Sequence, residues 1–385
     1  MNGLRTWLGS VGLALWLASS GEAGSIITLF DATAPRLSAL TRDGLAFAGD
    51  LPGRAGYAGR WRDGTLTSIE DPTGPTIRSV TGISDDGAVV TGDLHINDGL
   101  TFGQDYAFRW ENGLLVTLQG PGDNYSVAGP GISVSADGQI VVGRAGGGGT
   151  DRAAFWQGGV RTFLAVPEGT LGGSANGISA DGRTIVGTIS APNVIHAVVW
   201  RDGVMSILPD LPGGHELPSA INVSADGSVV VGSVDSAAGD SIARWINGDL
   251  EVLKQLPPGG SFDLGGTHVS DDGSIVLFTQ NLMSEIWREG LGSKPFGLYA
   301  EQHFGFSFQD ALPDISINVV YINEMTPDGN TFGGVLYDED SQARSFILYL
   351  DPSEFVVPEP SAVTLAGCAA VALLWAHRRS QTPRS

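Results

Sequence analysis

Seven copies of one four-residue phrase, Ser or Thr, any residue, Asp, Gly, run through this 385-residue chain. They stand at 41–44, 84–87, 135–138, 179–182, 224–227, 270–273 and 326–329, so successive copies lie 43, 51, 44, 45, 46 and 56 residues apart. A period in that range marks stacked or radially arranged repeats. Each repeat buries its apolar face against its neighbours, so a long chain can form one array instead of several separate cores.

The copies share more than the turn. A β-branched run follows it, as in Gln139 to Gly143 and Ser228 to Gly232, and a variable Gly/Asp/Ser-rich loop comes next. A small-apolar run then ends in Trp61, Trp110, Trp156, Trp200, Trp245 or Trp287, with Phe346 in that place in the last copy. A second Gly turn stands behind each Trp, for example at Asp63-Gly64 and Asn112-Gly113, before a final apolar run. Asn-Gly and Asp-Gly between β-rich runs signal hairpins, because type I′ turns need φ > 0 at both central residues. Each repeat therefore reads as four antiparallel strands, the blade of a β-propeller. The recurring Trp and Phe346 are expected to pack between neighbouring blades. Asp43, Asp86, Asp137, Asp181, Asp226, Asp272 and Asp328 are expected to serve the turns.

Copy seven has no second hairpin, whereas Ser25 to Phe30 precedes the first turn without a partner. The sequence thus predicts an all-β, seven-bladed β-propeller of four-stranded antiparallel blades over residues 24–350, closed by the N-terminal strand at 25–30. Closure removes open edges, which an open β-solenoid, the alternative, would leave. One segment breaks the pattern. Ser293, Pro295 and Gly305 frame a short rim helix near 294–304, with Phe296 and Tyr299 facing inward.

Composition narrows the partners. Acidic residues outnumber basic ones 42 to 21, which argues against nucleic acid, since phosphate binding needs clustered Lys and Arg. The only cysteine, Cys368, excludes an intrachain disulfide and cysteine-based zinc sites. No two of the six histidines stand three or four apart, and neither a Gly-x-Ser-x-Gly elbow nor a P-loop occurs. Ser84 to Asp86 and Ser270 to Asp272 cluster oxygens but spell out no calcium loop. No catalytic residue, metal site or cofactor is therefore assigned.

Both ends read as addresses. Residues 1–23, with Arg5, a short apolar run and small residues after it, have the form of a secretory signal peptide. A linker at 351–357 leads to Pro358-Glu359-Pro360, an uncharged stretch at 362–376, and Arg378-Arg379. As a helix that stretch covers about 22 Å, short of a hydrocarbon core of about 30 Å, so it would span under mismatch. The tail at 358–385 resembles the PEP-CTERM sorting signal of Gram-negative bacteria that make exopolysaccharide. The resemblance implies transient anchoring in the inner membrane by 362–376, processing by an exosortase, and delivery to the cell surface or extracellular matrix. The alternative is a plain C-terminal anchor.

Segments such as Tyr106 to Gly113, Arg152 to Gly159 and His196 to Trp200 resemble the extracellular HAF repeat family over residues 37–350. That resemblance implies a secreted or surface protein. Only His196-Ala197 keeps the family's His-Ala pair. Together these readings point to a non-enzymatic exported binding or structural module that partners exopolysaccharide or envelope proteins. The alternative is a propeller enzyme acting on polysaccharide, a glycosidase or lyase, which needs two carboxylates about 5–9 Å apart. A purely structural spacer is a third reading.

Overall fold

The computed structural model describes residues 16–19, 25–70, 76–96, 104–118, 133–147, 150–212, 218–236, 239–256, 262–280 and 283–354. Seven antiparallel sheets span 36–69, 76–117, 133–163, 172–207, 219–255, 262–295 and 317–349, and we number them blades 1 to 7. Within each blade the strands pair in chain order. First strands of successive blades touch one another, and that of blade 7 touches that of blade 1, so the array closes into a ring. The seven-bladed propeller is the fold that the repeat period predicts.

Blade 7 supplies only three strands of its own, Ile317–Met325, Thr331–Asp338 and Ala343–Tyr349. Its fourth is Ile26–Leu29, antiparallel to the third, with Ile26 opposite Tyr349 and Leu29 opposite Phe346. Ile27 and Leu29 are buried there with Phe346 and Leu348. The strand Trp16–Ser19, which falls in the segment read as a signal peptide, pairs along the outer edge of Ile26–Leu29.

The core is divided among the seams between blades. Trp110 packs with Ala48, Ala58 and Ile69 of blade 1, Trp200 with Val142 and Leu164 of blade 3, and Trp245 with Val199 and Leu208 of blade 4. Trp156 meets Ala107 and Leu118, and Trp287 meets Val231 and Ile242. Trp61 packs with Phe30 and Phe47, and Phe346 with Leu277 and Ile286. Each of the seven rings therefore sits against the preceding blade. The Trp200 and Trp245 Nε1–H groups also donate to the carbonyls of Ala165 and Pro209, at 2.7 and 2.8 Å.

A helix at Phe296–Phe304 covers the seam between blades 6 and 7, with Phe296 and Tyr299 buried. Gly305 ends it at φ 62°, in the left-handed region. Ser293 does not cap it. That residue belongs to the strand Gly292–Pro295, which runs directly into the helix. A second helix, Phe308–Ala311, follows, and the Ser307 hydroxyl accepts from the Asp310 amide at 3.4 Å. The sequence reading did not anticipate it.

Strand alternation gives the ring two unlike faces. The turns between first and second strands, and between third and fourth, lie on one face, here called the turn face. Connections between second and third strands, and between blades, lie on the other, the loop face.

Candidate functional site

All seven Ser/Thr-x-Asp-Gly turns have one geometry. In blade 4, Ser179 Oγ donates to Asp181 Oδ1 at 2.7 Å and accepts from the Thr184 amide at 3.0 Å. Asp181 Oδ1 also accepts from the Arg183 amide, and the Gly182 amide donates to the Ser179 carbonyl, both at 3.0 Å. The same bonds recur at Asp43, Asp86, Asp137, Asp226, Asp272 and Asp328. Hydrogen bonds from Ser84, Ser135 and Ser179 hold the Asp86, Asp137 and Asp181 carboxyls below the usual range. Only the Gly of each first turn has positive φ, so these are type I turns followed by a left-handed Gly. Type I′ geometry belongs to the second turns, where Asp63, Asn112, Asp202 and Asn247 have φ near 50° ahead of their Gly.

At the hub of the turn face, the residue before each Asp links neighbouring blades. The Asp85 amide donates to the Ala136 carbonyl at 2.9 Å, Ala136 to Ala180 at 3.1 Å, and Ala180 to Ala225 at 3.0 Å. The Ala225 amide donates to Asp271 Oδ1 at 3.1 Å, and the Asp271 amide to the Pro327 carbonyl at 2.7 Å. Pro327 has no N–H to pass the series on. At this break the Arg42 guanidinium of blade 1 reaches Asp271 of blade 6 at 3.3 Å and Asp85 of blade 2 at 3.6 Å.

The inner strands carry β-bulges next to these turns, and side chains at the bulges cross to the next blade. Asn176 Nδ2 donates to the Ala220 carbonyl, Asn222 to Thr267, and Asn323 to Leu37, at 2.8, 3.1 and 2.7 Å. His268 holds the equivalent place in blade 6 and bonds to the Asn323 backbone, with Nδ1 3.6 Å from Glu324 Oε2. Burial pushes His268 down to about 4 and Glu324 well above the usual carboxylate range. The pair thus favours two neutral groups.

A different surface lies on the loop face, where blade 7 meets blade 1. A cleft of about 510 Å³ is lined by Arg36, Asp50, Asn318, Tyr321 and Tyr337 among others. The Tyr321 and Tyr337 rings meet edge to face at 5.9 Å. Burial raises Asp50 above the usual range, partly offset by Arg36. Farther along this face, Asp105 bonds His95 Nδ1 at 2.6 Å and Arg78 Nε at 3.1 Å, and Ser79 donates to Asp93. Burial raises Asp93 as well.

Sequence reasoning missed two classes of residue. Arg60, Arg109 and Arg244 each precede a blade Trp and donate to the carbonyl of Gly87, Gly138 or Gly273 in the next blade. The recurring Arg-Trp pair is the signal that could have found them. Among the cleft residues Asp50 has a counterpart in one other copy, Asp93, six residues past its own Asp-Gly turn, but no cleft residue recurs around the ring, so no repeat-wide signal marks them. Pro358, Glu359, Pro360, Arg378, Arg379 and the segment 362–376 lie outside the described residues. Among the described residues, no group of three or more His, Cys, Asp or Glu could hold a metal ion, and no helix is long and apolar enough to cross a membrane.

No family model matches the chain, and no curated protein does. Solved structures resemble it in fold. The β-propeller domain of the Trilobed protease from Pyrococcus furiosus aligns with a TM-score of 0.47 at 11% identity, over 87% of this chain and 93% of that one. TolB from Acinetobacter baumannii aligns with a TM-score of 0.40 at 12% identity, over 87% of this chain. The chain spans 66% of the length of that TolB.

Proposed function

We propose that this chain is an exported, non-enzymatic binding module whose loop face engages exopolysaccharide or another envelope component. In this reading, residues 1–23 direct export. The tail at 358–385, through its segment 362–376, anchors the protein transiently in the inner membrane until an exosortase processes it. One observation carries the proposal: the two faces differ in how they use polar groups. Every turn-face Asp of the repeat is taken up by its own turn. The loop face instead holds a polar and aromatic cleft that the repeat does not require. Pockets of that kind, with a few convergent polar groups, are where ligands bind.

Two measurements on the full chain test this. Co-sedimentation with purified exopolysaccharide from the source cells is expected to bring the protein down, and its absence together with no bound envelope component would sink the reading. Mass spectrometry of the mature protein is expected to place its C-terminus near Glu359. An intact tail would leave a simple anchor.

A second reading, polysaccharide hydrolysis or lysis, is favoured by Asp50 and Asp93. Burial raises both, and like charge adds to it, from Asp93 on Asp50 and from Asp105 on Asp93. A carboxyl kept protonated is what a general acid needs. Release of new reducing ends, lost in Asp50→Asn and Asp93→Asn, would support it.

A further inference from the structure

We propose that the cleft between blades 7 and 1 holds a neutral oligosaccharide, with Tyr321 and Tyr337 against the sugar rings and Arg36, Asp50 and Asn318 on their hydroxyls. The inference rests on the binding-module reading above and names the ligand of that same surface.

Three observations carry it. First, Arg36, Asp50, Asn318, Tyr321 and Tyr337 converge on one cleft, yet no side-chain polar atom of theirs makes a hydrogen bond or close ion pair among the described residues. The contrast is with a turn-face cleft of about 530 Å³ lined by Asp181, Arg183, Asp202 and Asp226. There Asp181 and Asp226 are held by their turns, and Arg183 bonds Asp202 at 2.7 Å. Convergent polar groups left without hydrogen bonds, Arg36 and Asp50 being coupled only through space, are poised for a ligand rather than for the fold.

Second, the mixture of side chains suits sugars. A pyranose presents apolar C–H faces and a rim of vicinal hydroxyls. Tyrosine rings cover the former, and an edge-to-face pair leaves ring face unstacked. Planar guanidinium, carboxylate and amide groups match adjacent hydroxyls with two parallel hydrogen bonds. Asp50 is partly desolvated by the cleft, so its acceptor oxygens face less competition from water.

Third, the charge favours a neutral ligand over a polyanion. The one Arg and one Asp lining the cleft stand opposite each other on neighbouring strands of blade 1, so its own charges balance, and the chain as a whole carries a formal charge of −21. A field of that sign slows the approach of acidic polymers. The cleft wall is also firm. Ser341 at its lip sits at φ 60°, held by its amide on the Asp338 carbonyl at 2.9 Å. The neighbouring Gln342 amide donates to Asp338 Oδ1 at 2.8 Å.

The test is calorimetric titration of the full chain with gluco-, manno- and galacto-configured neutral hexaoses, an acidic hexauronate, and exopolysaccharide from the source cells. At least one neutral hexaose is expected to bind. Tyr337→Ala and Arg36→Ala are each expected to weaken it tenfold or more, and Tyr337→Phe to retain most of the affinity. Asp202→Ala, in the turn-face cleft, is expected to change nothing. Unchanged melting temperatures establish that each variant folds. Neutral binding insensitive to Tyr337→Ala, Tyr321→Ala and Arg36→Ala overturns the site. Binding of the hexauronate alone overturns the ligand class. Binding of the native polysaccharide without any neutral hexaose overturns this inference and leaves the binding-module reading standing, whereas no binding in any arm overturns this inference and confines that reading to an envelope component other than polysaccharide.

Discussion

The Ser345 hydroxyl, buried in blade 7, accepts the Leu37 amide of blade 1 at 2.9 Å and donates to the Pro35 carbonyl at 2.6 Å. The two residues are 308 positions apart, and the contact joins the last blade to the first. It stands beside the shared sheet, where the Phe30 amide donates to the Ser345 carbonyl at 2.9 Å. Ser345→Ala leaves one buried donor and one buried acceptor without partners, which costs about 1–3 kcal/mol. A denaturant titration of the full chain is expected to show that loss. An unchanged midpoint would mean that the ring is closed by strand pairing alone.

Arg244 and Arg183 give a paired prediction. Arg244 is buried, bonds Glu251 at 2.8 Å and the Gly273 carbonyl at 2.5 Å, and lies over the Trp287 ring at 4.6 Å. Arg244→Ala is expected to cost about 1.5–3 kcal/mol through lost charge-assisted bonds. Arg183 pairs with Asp202 in solvent, and Arg183→Ala is expected to leave the unfolding midpoint in place. Equal effects from the two variants would contradict this account of the blade seams.

Gly232 ends the Val-Val-Val run of blade 5, and its φ is not positive. A Cβ there would stand 1.9 Å from the Ser219 carbonyl oxygen, because the bulged inner strand leans over it. Gly232→Ala therefore forces backbone apart and is expected to cost about 1–3 kcal/mol. Gly203, whose Cβ would meet nothing, sits at φ 80°, so Gly203→Asn, a residue tolerant of that region, is the mild comparison.

His268 and Glu324 make stability depend on pH in opposite senses. His268 is lowered to about 4 in the fold from an ordinary 6.5, so its contribution is full above 6.5 and is lost as pH falls toward 4. Glu324 is raised, so stability is lost as pH climbs from 4.5 through its folded value. Glu324→Gln is expected to flatten the alkaline decline, and His268→Asn, the residue used at position 222, to flatten the acid one. Melting temperatures of both variants between pH 4 and 9 measure this. Parallel curves for parent and variants would reject it.

The ring and its count were legible because each blade repeats the same local rule. The Ser/Thr-x-Asp-Gly turn, the β-branched run and the Trp recur at nearly fixed offsets, and the unpaired run at 25–30 supplied the missing strand. The Gly after the β-branched run was legible as a recurrence, but its cause was not, since it lies in a carbonyl of another strand. The cleft was not legible at all. Arg36, Asp50, Tyr321 and Tyr337 come from opposite ends of the chain and meet only because the ring closes. The helix after Phe308 escaped because its four residues carry no periodicity to read.

Blades 2 and 6 lie on opposite sides of a seven-membered ring, and Arg42 is bonded to an acid on each. A side chain tied to both spans the axial opening on that side. The two mouths of the ring are thus unlike: the one on the turn face is crossed by a charged latch that a ligand arriving from that side meets first.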